Sequence, residues 1–220
     1  MSTNSNRNPT SSTHLSLREA CLTEALEAIR EKGVEALSLR DVARRLKVSH
    51  QAPYKHFSSK DHLLAEVISR CLRDFADHLK RSGHGDEAVP LSAEDAMRSL
   101  GHAYLEYAGA HPLEYRLMFM TTWPEEARTI GLAVDARAAF DVLGERLGAL
   151  RPYPDDEARD QDAMFVWSAI HGIASILQSE AMSYLSFSPE QAQKAVQYGM
   201  GMIDQALAHR TIPNVCGPEG

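Results

Sequence analysis

Apolar residues recur at intervals of three or four along most of this chain, which is the period of an amphipathic helix. In the first such segment Leu17, Cys21 and Ala25 share one face, before Lys32-Gly33 supplies a cationic last turn and a glycine cap. No stretch alternates β-branched or aromatic residues with polar ones over the length of a strand. The sequence therefore predicts an all-α fold of about nine helices.

Capping residues and prolines indicate where the predicted helices begin and end. Ser38 and Ser49 are N-cap candidates, and Pro53 restricts the third helix because proline has no amide hydrogen to donate. Gly83–Asp86 breaks the pattern after the fourth helix. The predicted helices cover about residues 15–32, 38–46, 49–57, 58–80, 92–110, 112–119, 123–150, 155–182 and 189–209.

Charge is unevenly distributed along the chain, although its net value is -7. Residues 15–62 carry nine Lys and Arg against seven Asp and Glu, whereas residues 63–220 carry thirteen against twenty-three. Between residues 36 and 62 the bias sharpens to six basic against two acidic side chains. A small basic module is thus joined to an acidic body, and only the module has the charge that attracts a polyanion such as nucleic acid.

The basic module contains the pattern of a helix-turn-helix motif. A two-turn helix is followed by a short turn at residues 46–49 and then by a second short helix. In such a unit one helix enters the major groove of DNA while its partner lies across the backbone. We therefore expect the polar side chains that follow Ser49 to face double-stranded DNA.

Several classes of protein are disfavoured by what the sequence lacks. No run approaches the roughly 18 apolar residues of a membrane span, and the first fifteen residues are polar, so we expect a soluble cytoplasmic protein with no membrane partner. Cys21, Cys71 and Cys216 are odd in number and widely spaced, which argues against a disulfide framework or a zinc site. The HExxH, GxSxG and P-loop patterns are absent, so we expect neither an enzyme nor a bound metal or cofactor.

Two stretches of the basic module resemble a known family. Residues 33–43 (GVEALSLRDVA) and 48–63 (VSHQAPYKHFSSKDHL) are similar to the DNA-binding domain of TetR-type, or tetracycline-repressor-like, transcriptional regulators. The resemblance extends without gaps over about residues 15–70. Gln51 and Pro53 depart from it, because many members have a small residue at the first position and an aliphatic residue at the second. This departure bears on base preference and not on the fold.

A second likeness lies further along the chain. Residues 111–119 (HPLEYRLMF) and 167–172 (WSAIHG) resemble the C-terminal domain of one TetR subgroup, which is marked by a Trp and a His-Gly pair. Trp167 and His171 are four residues apart and so share one helix face. There they could meet a partner helix or simply pack in the core.

The family resemblance implies that the two basic modules of a homodimer bind a palindromic DNA operator. By position, the residues expected to hold phosphates are Ser38, Tyr54 and Lys60. Those expected to face the groove are His50, Gln51 and Lys55, although Lys55 could equally anchor the DNA backbone and His50 could face solvent or a phosphate. The full set of candidate DNA-binding residues is Ser38, Arg40, Ser49, His50, Gln51, Tyr54, Lys55, His56 and Lys60.

The resemblance also implies how such a regulator is controlled. It predicts a ligand-responsive transcriptional repressor that is released from DNA by a small apolar or aromatic effector. An effector-independent regulator, or one that activates transcription, fits the same residues. The implied domains are a disordered arm (1–14), the helix-turn-helix domain (15–62), an effector-binding and dimerisation domain (63–210) and a flexible tail (211–220).

Aromatic and thioether side chains are concentrated in the predicted effector domain, where they could line a cavity or fill the core. The candidate effector-pocket residues are Tyr104, Tyr107, His111, Met118, Phe119, Trp123, Phe140, Phe165, Trp167 and His171. The last two predicted helices could form a four-helix bundle between two copies, with a poorly packed surface helix as the alternative. The candidate dimer-interface residues are Trp167, His171, Ala195, Gly199, Met202 and Ala206.

Overall fold

The computed structural model describes residues 16–82, 90–128 and 131–209. Within these ranges every regular element is helical, which confirms the all-α prediction. The α-helices are α1 (Leu17–Lys32), α2 (Leu39–Arg45), α3 (Lys60–Arg81), α4 (Ala93–Ala110), α5 (Pro112–Phe119), α6 (Leu132–Leu150), α7 (Asp156–Leu177), α8 (Ala181–Tyr184) and α9 (Pro189–His209). The predicted arm, the predicted tail, the predicted break at Gly83–Asp86 and Cys216 lie outside the described residues.

The chain divides into two compact units between Val67 and Ile68, inside α3. The first unit contains α1, α2 and the start of α3, and the second contains the rest of α3 together with α4 to α9. Among the described helices, none is both long enough and apolar enough to cross a membrane.

Side-chain caps and a glycine explain several helix ends. The hydroxyl of Ser16 accepts a hydrogen bond from the Glu19 amide (3.3 Å) at the start of α1. Gly33 ends α1 with a φ of +81°, a conformation that L side chains rarely adopt. At the start of α9, Ser188 and Gln191 cap each other, because each side chain accepts a hydrogen bond from the other's amide.

The predicted third helix, from Ser49 to about Phe57, is wrong. The segment contains turns and a single 3₁₀ turn at Pro53–Lys55. Pro53 has no amide hydrogen to offer the Ser49 carbonyl, which instead accepts a bond from the Ala52 amide (2.9 Å). The Phe57 amide then bonds to the Pro53 carbonyl (3.0 Å), and the segment ends after that turn.

The helix predicted for residues 123–150 is shorter in the structure. A separate 3₁₀ turn at Glu125–Arg128 comes first, and α6 begins only at Leu132. Gly131, directly before it, has a φ of +82°, which interrupts the right-handed helical backbone at that point.

The helix predicted for residues 155–182 is also shorter, since α7 ends at Leu177 and α8 is a separate element. The Ser179 amide and hydroxyl both donate to the Ile176 carbonyl, at 3.0 and 2.7 Å. These bonds close a turn at the position where a further helical turn was predicted.

A cluster of charged side chains joins α2 to α1 in the first unit. Arg45 is half-buried on α2, where its Nε donates to Asp41 (2.8 Å). Its terminal nitrogens reach α1 and donate to Glu24 (3.2 Å) and Glu31 (2.5 Å). Hydrogen bonding to Arg45 lowers the pKa of Glu31, and hydrogen bonding to Arg44 and Arg45 lowers the pKa of Asp41. These carboxylates therefore stabilise the helix pair while they are ionised.

The core of the second unit lies between α4, α6, α7 and α9, where α4 and α7 each contact the other three helices. It is built chiefly from aliphatic and aromatic side chains, and the buried carboxylate of Asp162 is an exception. Asp162 accepts a hydrogen bond from the Tyr153 hydroxyl (3.0 Å) and forms an ion pair with Arg151. Arg151 also donates to the Leu207 carbonyl (2.7 Å), so this buried charge is paired and links α7 to α9.

We predict that Arg45→Gln flattens the acid dependence of stability. Asp41 and Glu31 have folded pKa values below those of the unfolded chain. Their contribution to the free energy of unfolding is therefore complete above roughly pH 5 and is lost as the pH falls through the folded values. Urea unfolding of the wild type should show this loss below about pH 5. The variant, which lacks the guanidinium, should lose less stability over the same range.

Arg40→Gln is the matched control for this measurement. Arg40 lies on the same helix and is exposed, so its removal should leave the pH profile of the wild type unchanged. Identical pH profiles for the wild type and Arg45→Gln would contradict the assignment of this cluster.

Candidate nucleic-acid interface and internal cavity

The segment that follows α2 turns its polar side chains outwards and its apolar side chains inwards. Pro53 and Phe57 are buried and hold the segment in the first unit. Phe57 packs against the His62 ring in an edge-on contact, with 5.8 Å between ring centroids. The exposed candidates are Arg40, Ser49, His50, Gln51, Tyr54, Lys55 and His56. The 3₁₀ turn therefore presents a polar surface on two apolar anchors.

Two of the three candidate phosphate contacts lie where helices begin. Ser38 directly precedes α2, and its hydroxyl makes no capping hydrogen bond. Lys60 is the first residue of α3, and its Nζ donates to the Glu35 carbonyl (2.9 Å). An ammonium group has three donors, so this bond positions Lys60 without saturating it. Tyr54, the third candidate, is 44% exposed.

Ion pairs divide the basic residues of this module into two groups. Arg44 and Arg45 are paired with the carboxylates of the α1–α2 cluster. Arg40, Lys47 and Lys55 are exposed and make no ion pair with any residue that the structure describes. Sequence reasoning did not include Lys47 among the candidates, although it counted this residue in the basic cluster. The accessible positive charge lies on these three residues and on Lys60.

An apolar cavity of about 50 Å³ lies in the second unit. Its wall is formed by α4, α6, α7, α9 and the part of α3 that belongs to this unit. Three of the candidate pocket residues line it: Tyr104, Phe140 and Trp167. The space holds no more than a few water molecules, so a larger ligand requires side chains of the wall to move.

Sequence reasoning missed the contribution of α9 to this cavity. Met200, Ile203 and Asp204 line it. Their spacing of three and four residues places them on one helix face, and this pattern is the sequence signal that predicts a shared environment. Gly101 of α4 also lines the cavity, and a Cβ added there would collide with the end of the Met200 side chain. The absence of a side chain at Gly101 thus lets Met200 lie against α4.

Four other candidate pocket residues pack in the core and do not line the cavity: Tyr107, Met118, Phe119 and His171. Tyr107 and Met118 are buried. Phe119 is half-buried and contacts Trp167 and His171, with ring centroids 6.0 and 5.3 Å away. These residues support the wall from behind and do not form its surface.

The remaining three candidates, His111, Trp123 and Phe165, lie at the surface. The Trp123 Nε1 donates to the Met118 carbonyl (3.0 Å), which holds the indole beside α5. Phe165 is 47% exposed on α7. None of the three lines the apolar cavity as the structure describes it.

His171 belongs to a polar cluster in the core of the second unit. Its Nδ1 lies 2.6 Å from the Tyr115 hydroxyl and 3.1 Å from the Tyr104 hydroxyl, and its Nε2 lies 3.3 Å from the Ser175 hydroxyl. Burial lowers the pKa of His171 and raises the pKa of both tyrosines. The cluster is therefore uncharged at neutral pH and connects the cavity wall at Tyr104 to α5 and α7.

The helices α7 and α9 pack against each other, and both expose apolar side chains. On α7, Met164 and Phe165 are 56% and 47% exposed. On α9, Tyr198 and Met202 are 72% and 47% exposed. Exposed apolar surface of this kind on two adjacent helices is typical of a protein–protein contact.

The candidate dimer residues differ in how far the structure exposes them. Ala195 and Ala206 are exposed on α9, as is Met202. Gly199 lies between them in sequence and faces Ile173 of α7, whose Cδ1 would be 2.9 Å from an added Cβ. The other two candidates, Trp167 and His171, are half-buried and contact aromatic residues of their own chain.

The described cysteines are buried free thiols. Burial is the main cause that raises the pKa of Cys71 to about 12, so this thiol is protonated and a poor nucleophile at neutral pH. Over the described ranges, no group of three His, Cys, Asp or Glu side chains is arranged to hold a metal ion.

Two family models match the chain. Residues 22–67 match the model described as "Bacterial regulatory proteins, tetR family". Residues 97–203 match the model described as "Tetracyclin repressor-like, C-terminal domain". The first match covers the basic module, and the second covers most of the helices around the cavity.

Individual proteins resemble this chain either in sequence or in three-dimensional structure. The HTH-type transcriptional regulator Rv1816 of Mycobacterium tuberculosis is 30% identical over 114 residues, which are 50% of this chain and 48% of that protein. The chain thus spans about half the length of the curated relatives that it matches first. A solved structure of a protein with unknown function from Rhodococcus sp. RHA1 has 25% identity and a TM-score of 0.67, over 89% of this chain and 98% of that chain.

A third similarity extends to a structure with a bound small molecule. The crystal structure of a TetR variant from Acinetobacter baumannii AYE, in complex with minocycline, has a TM-score of 0.55. It covers 87% of this chain and 97% of that chain at 18% identity. At 18% sequence identity, this similarity shows that the two chains share a fold.

Proposed function

Because the chain belongs to the TetR family of bacterial regulatory proteins, we propose that it is a transcriptional repressor released by a small molecule. It binds a palindromic operator in double-stranded DNA as a homodimer, in the cytoplasm, and leaves it when an apolar or aromatic effector occupies the second unit. The members of this family are DNA-binding regulators and not enzymes. The observation that supports this function most directly is the exposed, basic and hydrogen-bonding surface around the Pro53–Lys55 turn.

The exposed polar residues divide into phosphate contacts and base contacts. Ser38, Tyr54 and Lys60 hold phosphates, because hydroxyl and ammonium groups donate to phosphate oxygens. Gln51 reads a base, because a glutamine amide can pair with both polar edge atoms of adenine. His50 and Lys55 lie on either side of it in the sequence and extend the contact along the groove.

We predict that two substitutions in this surface change two different properties of DNA binding. Lys60→Ala removes a phosphate contact, so it should weaken binding to all duplexes and reduce the slope of log affinity against log salt by about one. Gln51→Ala should leave that slope unchanged and should relax the preference at one base pair, at a cost of ~1–3 kcal/mol on the preferred sequence. Fluorescence anisotropy on labelled duplexes at several salt concentrations measures both quantities.

Arg116→Ala, at an exposed arginine on α5, controls for the loss of one positive charge and should leave the slope unchanged. A Lys60→Ala slope equal to that of the wild type would remove this residue from the phosphate contacts. An unaltered base preference in Gln51→Ala would remove that residue from base readout.

The homodimer is formed by the exposed apolar faces of α7 and α9. Two such helices from each copy make a four-helix bundle, in which Met164 and Phe165 of one copy meet the α9 face of the other. Exposed alanines at 195 and 206 allow the helices to approach closely. The inward contacts of Trp167 and His171 favour a role for these two residues within each subunit.

Met202→Glu should convert the dimer to a monomer. The substitution places a carboxylate in the apolar contact, and in the symmetric dimer it does so twice. Analytical ultracentrifugation at micromolar concentration measures the result. Val134→Glu is the control, since Val134 is 70% exposed on α6 and lies outside the proposed interface. A Met202→Glu protein that remains dimeric would contradict this interface.

The subgroup marked by a Trp and a His-Gly pair is a finer proposal. Trp167 and His171 both contact Phe119, which lies within the first of the two stretches that carry that resemblance. The likeness in sequence therefore corresponds to one contact between α5 and α7.

Control by an effector follows from the helices that surround the cavity. Phe75 and Leu79 of α3 line it, and α3 begins at Lys60 of the DNA-binding surface. Within the second unit, Asp135 of α6 pairs with Arg73 (2.9 Å) and accepts a hydrogen bond from Ser69, so α3 and α6 are joined beside the unit boundary. A ligand that fills the cavity better in one position of α3 shifts the protein towards that position, by its difference in affinity.

Gly101→Ala should weaken binding of a small apolar probe such as toluene. The added methyl group must displace the Met200 side chain, and both residues line the cavity, so the available space falls. Because the displaced Met200 side chain occupies space that the probe would fill, we expect a loss of affinity of about tenfold, or ~1.4 kcal/mol. The rise in unfolding temperature with toluene concentration measures binding.

Gly109→Ala is the matched control, because Gly109 is also on α4 and an added Cβ would meet nothing within 4 Å. It should bind toluene as the wild type does. Equal binding by Gly101→Ala would show that toluene does not occupy this cavity.

A further inference from the structure

A second cavity, of about 350 Å³, adjoins the apolar one where the start of α4 and the ends of α6 and α9 meet. Met97 and Asp204 line both cavities. The inner cavity is walled almost entirely by apolar groups, whereas four charged side chains line the outer one: Glu94, Arg98, Arg151 and Asp204. The two together form a site with an apolar interior and a charged mouth.

Both arginines of the outer cavity already have partners. Arg151 is bound to the buried carboxylate of Asp162 and to two further oxygens. Arg98 donates to Asp95 (2.9 Å) and, over a longer distance of 3.4 Å, to Asp204. An anionic head group that entered this cavity would meet two guanidinium groups whose charge is already balanced by carboxylates of the chain.

The carboxylates of the outer cavity, in contrast, have unused acceptor capacity. Glu94 makes no ion pair with any described residue, and the bond that Asp204 accepts from Arg98 is long and uses one of its two oxygens. Asp162 neutralises Arg151, which leaves Arg98 as one positive charge beside Glu94, Asp95 and Asp204. The mouth therefore carries an excess of negative charge that complements a cation.

We propose that this site takes an organic cation with an apolar tail. The tail enters the inner cavity beside the aromatic rings of Tyr104, Phe140 and Trp167, which requires side chains of the wall to move apart. The ammonium group binds Asp204 at the boundary of the two cavities. The proposal rests on the proposed function, since it names the chemical class of the effector. Arg98 competes with the ligand for Asp204 and so limits its affinity.

Three probes with apolar tails of seven or eight carbons test the head group: octyltrimethylammonium, octanoate and octan-1-ol, each below its micelle-forming concentration. Isothermal titration calorimetry on the full chain measures their affinities. We expect octyltrimethylammonium to bind with a stoichiometry of one per chain and at least about tenfold more tightly than octanoate, because only the cation complements the mouth. Octan-1-ol should lie between them.

Two variants locate the head group. Asp204→Asn should reduce the affinity for octyltrimethylammonium about tenfold and leave that for octan-1-ol unchanged, because only the cationic head is attracted by the charge of this carboxylate. Arg98→Gln should raise the affinity for the cation, because it removes the competing guanidinium. Glu106→Gln, an exposed carboxylate on α4 outside both cavities, controls for net charge and should change neither affinity.

Two results would overturn the proposal, and they differ in what else they remove. Octanoate binding as tightly as octyltrimethylammonium, or an unchanged cation affinity in both Asp204→Asn and Arg98→Gln, overturns the cationic head group and leaves the effector cavity in place. Failure of all three probes to bind overturns the effector cavity as well. Circular dichroism of each variant establishes that it is folded before its affinity is compared.

Discussion

Mutual burial of the apolar faces of α4, α6, α7 and α9 is the interaction on which the second unit depends. Side chains such as Leu132, Leu147 and Ala163 are completely shielded from solvent there. Packing is incomplete where Gly101 and Met200 border the apolar cavity. Because five helices share that wall, a molecule that fills the cavity affects the packing of all five, including α3, which continues into the basic module.

Local signals in the sequence predicted the helical class and several helix ends. Gly33 and the Ser188-Pro189 pair act only on neighbouring residues, so the C-terminal end of α1 and the start of α9 follow from the sequence. The predictions were wrong where two local preferences compete. Pro53 permits a turn but not a continued α-helix, and the Ser179 hydroxyl bonds to the backbone in place of a further helical turn.

The candidate site was predictable to the extent that it depends on polarity. Polar residues around Gln51 are exposed because they lack an apolar surface to bury, and the sequence contains that information. Which aromatic residues line the cavity depends on contacts between distant helices. Phe119 and Phe140 are the same residue type, yet one supports the wall from behind and the other forms it, and no local pattern separates them.

The central claim is that two copies of the basic module bind duplex DNA as a symmetric pair. Selection of bound fragments from random duplex DNA tests this claim most directly. The account predicts an enriched sequence with two inverted half-sites whose spacing is about one turn of DNA or a multiple of it. An enriched sequence without two-fold symmetry would contradict it, as would the absence of any enrichment at low salt, where the positive charge of the module is least screened.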